Sequence, residues 1–133
     1  MEKVVKISAT ISILLCLILI TGPYTIFKVC DTSVHVMKCT YSCRIISLFS
    51  VLSIINEIYL LVKNNFYNDK MLVFHNLLFH FVMIIVPSFV IGGCDINTMR
   101  CQKITFPMIY AVSVIGIMNL CIQLISCYKS RGN

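Results

Sequence analysis

The sequence has no tryptophan, and only five of its 133 residues are acidic; charged residues make up 12% of it and hydrophobic ones 59%. Soluble domains average about 25% charge and roughly half apolar residues. A chain with room for one domain could not hide so much apolar surface from water, so a soluble fold is excluded. The few acids are not paired for acid–base work, and there is no Gly-rich phosphate loop, no Ser-His-Asp set and no His-Glu-x-x-His helix. Cys-x-x-Cys is absent too, although eight cysteines are present. The net charge of +6 comes from bases set singly at the ends of hydrophobic runs. Without a cluster or stripe they do not describe a nucleic-acid footprint. Lacking Trp, the interfacial aromatic belt falls to Tyr24, Phe27, Tyr41, Tyr59, Phe66, Tyr67 and Tyr128.

Four hydrophobic runs are present, at 7–21, 45–62, 71–92 and 104–127. Each reaches or approaches the ~20 residues a helix needs to cross a bilayer core of about 30 Å. Helices are expected because lipid offers the backbone no hydrogen-bond partner. The first run, behind Lys3 and Lys6, also has the outline of a signal peptide. No small-x-small site follows it, Gly22-Pro23-Tyr24 is a poor substitute, and Leu15 before Cys16 spoils a lipoprotein signal, so an uncleaved first helix is expected. Pro107 falls in the first turn of the fourth helix, where its missing N–H costs little. Pro87 lies inside the third and should kink it. The predicted fold is all-α: a polytopic membrane protein with four transmembrane helices arranged as two repeated helical hairpins in one domain, 1–133, with halves 1–66 and 67–133.

Four crossings put both cysteine-bearing segments on one side and the termini with the 63–70 turn on the other. The terminal side holds six bases (Lys3, Lys6, Lys63, Lys70, Lys129, Arg131) and the cysteine side five (Lys28, Lys38, Arg44, Arg100, Lys103). The positive-inside rule and the Lys-bearing N-terminus place the termini in the cytoplasm and the cysteine loops outside, in a plasma or inner membrane.

Cys30-Asp31, a spacer and Met37-Lys38-Cys39 recur in compressed form as Cys94-Asp95, a spacer and Met99-Arg100-Cys101. Each copy leads into a hydrophobic run. Gly22 and Gly92 are expected to end the preceding helices, and Asn56 and Asn119 follow at similar distances. Two copies of a helix–loop–helix unit, related by an axis along the membrane normal, would set the two sulfur loops face to face.

Four hydrophobic helices, Met-Lys-Cys opening the second, and Gly-Gly-Cys with Met-Arg-Cys and Pro107 opening the fourth, resemble a family of small prokaryotic membrane proteins known only as a domain of unknown function. The resemblance covers nearly the whole chain and implies the four-helix architecture, with no settled activity. It implies a partner as well, an ABC-type permease of the macrolide-exporter class, because family members are often encoded near one. Where the family commonly has a His after the first Met-x-Cys, this sequence has Thr40, which weakens a ligand role there.

Three readings of the sulfur segments stay open. Outside the cell thiols oxidise, and Cys30, Cys39, Cys94 and Cys101 are the disulfide candidates, with connectivity not fixed by spacing. In an extended segment residues i and i+2 point the same way about 6.6 Å apart, so Met-x-Cys aims a thioether and a thiolate at one point. Cys30, Met37, Cys39, Cys94, Met99 and Cys101 would then hold a soft metal, Cu(I) or Zn, against the repulsion of Lys38 and Arg100. Thiol–disulfide exchange is the third reading, in the layout of quinone-linked membrane oxidases, with Cys39, Cys43, Cys94 and Cys101 reactive. Cys16, Cys121 and Cys127 read as small apolar side chains. Asp31 and Asp95 read as turn residues.

Inside the membrane, Glu57, His75 and Gln123 count to one depth, with Asn56, His80 and Asn119 slightly deeper. A carboxyl in lipid costs about 2.5–3.5 kcal/mol and should face the bundle and find a partner; Glu57–His75 is the expected pair. A proton or ion relay and simple interhelical hydrogen bonding are the alternatives. Taken together, the sequence points to a non-enzymatic accessory or interaction subunit of a membrane transport assembly, with the thiol oxidoreductase as the alternative. Its partners would be the bilayer, a permease or other membrane subunit, or a second copy of itself.

Overall fold

The computed structural model describes residues 2–26, 38–62, 70–91 and 101–129. Cys30, Asp31, Met37, Cys94, Asp95 and Met99 lie outside the described residues. Four helices account for the rest: α1 (Glu2–Thr25), α2 (Lys38–Val62), α3 (Lys70–Ile85) and α4 (Phe106–Lys129). A π turn, Val86–Val90, continues α3, and another, Cys101–Thr105, leads into α4. All four are long and apolar enough to cross a membrane, over Lys3–Thr25, Lys38–Val62, Lys70–Val90 and Cys101–Lys129.

The helices outrun the hydrophobic runs for local reasons. Gly22 does not end α1. The helix passes through Gly22 and Pro23, and the Ile26 N–H still donates to the Gly22 carbonyl at 3.0 Å. Pro23 removes only the bond to the Leu19 carbonyl, tolerable in a last turn. At the other edge, α2 begins at Lys38 rather than 45, because Thr40, Ser42 and Cys43 turn inward and are buried there. The helix changes to a π turn, Val86–Val90, where a kink is expected at Pro87. Its ring would meet the carbonyl four residues back, and the chain widens into a π turn closed by Ile91 N–H to Val86 O at 3.0 Å.

The bundle is inside out by soluble standards. Ile7, Leu48 and Ile125 are 60%, 60% and 66% exposed, whereas Ser12, Ser50, Ser53, Glu57, Asn76, His80, Ser113 and Gln123 are fully buried. In lipid that is the stable arrangement: apolar side chains face the tails, and polar ones turn inward to satisfy each other. Small residues (Ala9, Ser12, Cys16, Ser53, Gly116) lie at the buried faces and let backbones approach, which matters where packing replaces the hydrophobic effect.

The helices form a ring in which α1 touches α2 and α4, and α3 touches α4 and α2, most extensively within the hairpins α1–α2 and α3–α4. The buried positions of the two hairpins repeat. Ile46, Ser50, Ser53, Glu57 and Leu60 on α2 are answered, at identical spacing, by Ile109, Ser113, Gly116, Leu120 and Gln123 on α4. Val5, Ser8 and Ser12 on α1 are likewise answered by Val73, Asn76 and His80 on α3. Three storeys follow: an apolar and sulfur-bearing cluster around Cys39, Cys43, Ile46, Met83, Cys101 and Ile109; a polar middle; and, toward the chain termini, a small cluster of Leu60, Val73 and Leu120.

Candidate functional site

Among the described residues the sulfur end is helical, not looped. Cys39 and Cys43 sit one turn apart on α2, on its buried face, where positions i and i+4 are neighbours. Cys101 opens the π turn before α4. All three are fully buried in one cluster with Leu19, Ile46 and Met83, and Cys43 lies within electrostatic reach of both Cys39 and Cys101. Sulfur from both hairpins therefore meets at one end of the bundle. Cys39 being helical, the extended geometry assumed for Met-x-Cys does not hold at that residue; Met37 and Met99 lie outside the described residues. Among the described residues, no three His, Cys, Asp or Glu side chains group in a way that would hold a metal ion. Ile46, Met83 and Ser50 separate this end from the polar middle. The Ser50 hydroxyl donates there only to the Met83 sulfur, at 3.8 Å.

The polar middle is built on Glu57, which α2 presents inward because it falls on the Ile46–Ser50–Ser53–Leu60 stripe. Its partner is not His75. Asn76 Nδ2 donates to Glu57 Oε1 at 2.9 Å and Gln123 Nε2 donates to Oε2 at 3.4 Å. Asn76 Oδ1 in turn accepts from Asn56 Nδ2 at 3.1 Å. The buried face of α3 is Val73, Asn76, His80 and Met83. His75, one position from Asn76, is turned 100° away and exposed, its Nδ1 2.7 Å from the Met71 carbonyl of its own helix.

His80 joins this centre from the next turn. Its Nδ1 lies 3.0 Å from the Asn76 carbonyl; a carbonyl only accepts, so Nδ1 carries the hydrogen. Its Nε2 is buried with no partner. The ring is seated on Gly116: a Cβ there would lie 2.4 Å from Cδ2 and 2.5 Å from Nε2. Room for an imidazole thus comes from the one residue of the α4 stripe with no side chain.

Asn119, assigned by depth to the same layer as Asn56 and His80, instead closes the opposite side of the ring. Its Nδ2 donates to the Ser8 carbonyl and to Ser12 Oγ, both at 2.9 Å, and its Oδ1 accepts from Ser8 Oγ at 2.9 Å. Asn76, Ser8, Ser12 and Gly116 carry roles that sequence reasoning did not assign. The signal for Asn76 was its i,i+4 spacing to His80, which marks them as one face. No comparable signal marked Gly116.

These features define a class: a multi-pass four-helix membrane bundle with, among the described residues, a buried sulfur end and one buried carboxyl. Within that class the chain belongs to the family described as Domain of unknown function (DUF4418), which matches residues 12–128. No curated protein and no solved structure gives a significant match.

Proposed function

We propose that the chain is a non-enzymatic integral membrane protein, an accessory or interaction subunit of a membrane transport assembly, partnered by an ABC-type permease. Its termini are cytoplasmic, and its sulfur end sits at the extracytoplasmic face of a plasma or inner membrane. One observation carries this reading: Cys39, Cys43 and Cys101, drawn from both hairpins, adjoin with zero exposure. Thiols that exchange with substrates occupy partly exposed, electropositive surroundings, whereas these are enclosed by Leu19, Ile46 and Met83. Enclosed sulfur suits a tie between the hairpins. The tie is a disulfide reaching Cys30 or Cys94, or a soft metal such as Cu(I) or Zn held by thiolates from the two halves.

The proximity of sulfurs from two hairpins also favours a second reading, a quinone-linked thiol oxidoreductase passing a disulfide between Cys39, Cys43, Cys94 and Cys101. One preparation separates the two. Protein purified from native membranes is alkylated before and after reduction, assayed for bound metal, and offered a dithiol with quinone. The tie predicts that Cys39, Cys43 and Cys101 resist alkylation until unfolding while lipid-facing Cys121 reacts. It also predicts that either a disulfide or about one equivalent of metal is found. Five reactive thiols at positions 30, 39, 43, 94 and 101 with no metal exclude it, and quinone-dependent dithiol oxidation above that of a Cys-free variant establishes the enzyme instead. The subunit role predicts co-purification with a permease at fixed stoichiometry under crosslinking; a chain recovered only as monomer or homo-oligomer overturns it.

A further inference from the structure

At mid-bundle, a single carboxyl has two amide neighbours that differ in kind. Asn76 is held at both ends of its amide: Nδ2 donates to Glu57 Oε1 and Oδ1 accepts from Asn56, while its backbone carbonyl takes His80 Nδ1. Gln123 is not. It makes one long contact, Nε2 to Glu57 Oε2 at 3.4 Å, and its own Oε1 is buried without a partner. A primary amide offers two donors on one side and an acceptor on the other, and a half turn about its last torsion exchanges them. An ionised carboxylate needs an N–H at Oε2. A protonated one carries an O–H there and needs an oxygen. Gln123 can meet either demand from the same place, by turning.

We propose that Glu57 is a proton-binding site inside the membrane, with Asn76 as its fixed partner and Gln123 as the partner that turns with the proton. His80 supplies an independent second observation. Its unpartnered, fully buried Nε2 is an acceptor in the tautomer that the Asn76 carbonyl enforces, and so a second residence for a proton beside the same centre. When the carboxyl gives up its proton and Nε2 holds it, the O–H bond is replaced by an N–H bond and charge is conserved. The pair is then carboxylate and imidazolium, bridged by Asn76. The other groups facing this centre are few. Cys16 on α1 and Cys127 on α4 lie within electrostatic reach of Glu57, and Lys70, at the head of α3, is within reach of Cys127. Thiols stay neutral below their usual pKa of about 8.5, so Cys16 and Cys127 bring no charge to this centre near neutral pH.

The proposal is independent of the sulfur end, and its test does not touch a cysteine. Protein carrying ¹³C-labelled glutamate in an E2Q background, which leaves Glu57 as the sole glutamate, is reconstituted in liposomes. It is followed by infrared difference spectroscopy between about pH 5 and 9. The expected result is a labelled protonated-carboxyl band that gives way to a carboxylate band as pH rises. In a Gln123→Leu variant the ionised form loses its donor at Oε2 and the protonated form an acceptor; the bond to the charged form is the stronger, so the midpoint should move up by about one pH unit, a tenfold gain in proton affinity. The opposite result is a carboxyl that stays in one form across the whole range, or a midpoint that Gln123→Leu leaves in place. A carboxyl fixed in one form makes Glu57 a structural bond, and an unmoved midpoint takes away Gln123 as the partner that turns; either overturns the proposal as stated.

Discussion

Replacing Gly116 by alanine tests how the polar middle is packed. A Cβ at this position would meet His80 Cδ2 at 2.4 Å and Nε2 at 2.5 Å, where carbon contacts are comfortable only from about 3.5 Å. The ring must therefore move by about 1 Å. It cannot do so freely, because His80 is fully buried and its Nδ1 is held by the Asn76 carbonyl at 3.0 Å. Overpacking of this kind costs about 1–3 kcal/mol, against a gain of about 1 kcal/mol from replacing glycine in a helix. The net expectation is a loss of up to about 2 kcal/mol, and it should vanish when the imidazole is removed. Unfolding of the purified protein in mixed micelles should rank Gly116→Ala below wild type, and Gly116→Ala with His80→Ser above His80→Ser alone. If the alanine stabilises by its full propensity gain in both backgrounds, the ring does not rest on Gly116 and the described centre is wrong.

Two further predictions concern the polar contacts around the ring. Asn119→Leu removes three bonds of 2.9 Å between α4 and α1; at ~0.6 kcal/mol each in a membrane the loss should be about 2 kcal/mol in the same unfolding assay, and no loss would mean that the Asn119–serine clamp does not hold α1. His75→Leu should stay within about 0.5 kcal/mol of wild type as an exposed change, whereas Asn76→Leu leaves the Glu57 carboxylate without its best donor and should cost about 1–3 kcal/mol; equal effects would contradict the facing of α3.

The number and nature of the helices were legible because lipid imposes them: a run of apolar residues has one stable form in a bilayer. Their ends were not, because hydropathy is blind to Thr40, Ser42 and Cys43, which extend α2 by turning inward, and to Pro23, which α1 absorbs in its last turn. The same blindness misplaced the sulfur. Cys39 and Cys43 precede the hydrophobic run and so read as loop residues, yet cysteine packs as a small apolar group and continues the buried stripe of the helix. In the middle, depth alone put Glu57 beside His75. Depth fixes position along the membrane normal but not rotation about the helix axis, and a one-residue step turns a side chain by 100°. Asn76 and His80, one turn apart, share the buried face that His75 leaves.

The repeat of buried positions frames what Glu57 is for. Asn56 on α2 reaches forward to α3, and Asn119 on α4 reaches to α1, so the two hairpins use equivalent asparagines in equivalent ways. Across the middle they differ. Glu57 meets Gln123, while the positions that answer them, Leu120 and Leu60, meet in an apolar cluster. The Leu60–Leu120 crossing therefore does without polar atoms what Glu57 and Gln123 do with them, and Ser8 on α1 stands where α3 has Asn76. Rebuilding the polar side in that image, as Glu57→Leu, Asn76→Ser and Gln123→Leu together, removes the carboxyl with both of its amide donors and keeps the backbone carbonyl that holds His80 Nδ1. Replacing a whole buried polar set by apolar groups is often neutral or stabilising, whereas breaking it at one member is costly. The triple variant should unfold within about 1 kcal/mol of wild type, and Glu57→Leu alone should fall below both. That ordering would show that the carboxyl is not retained for stability. A triple variant that loses 3 kcal/mol or more would instead make the Glu57 centre a structural clasp.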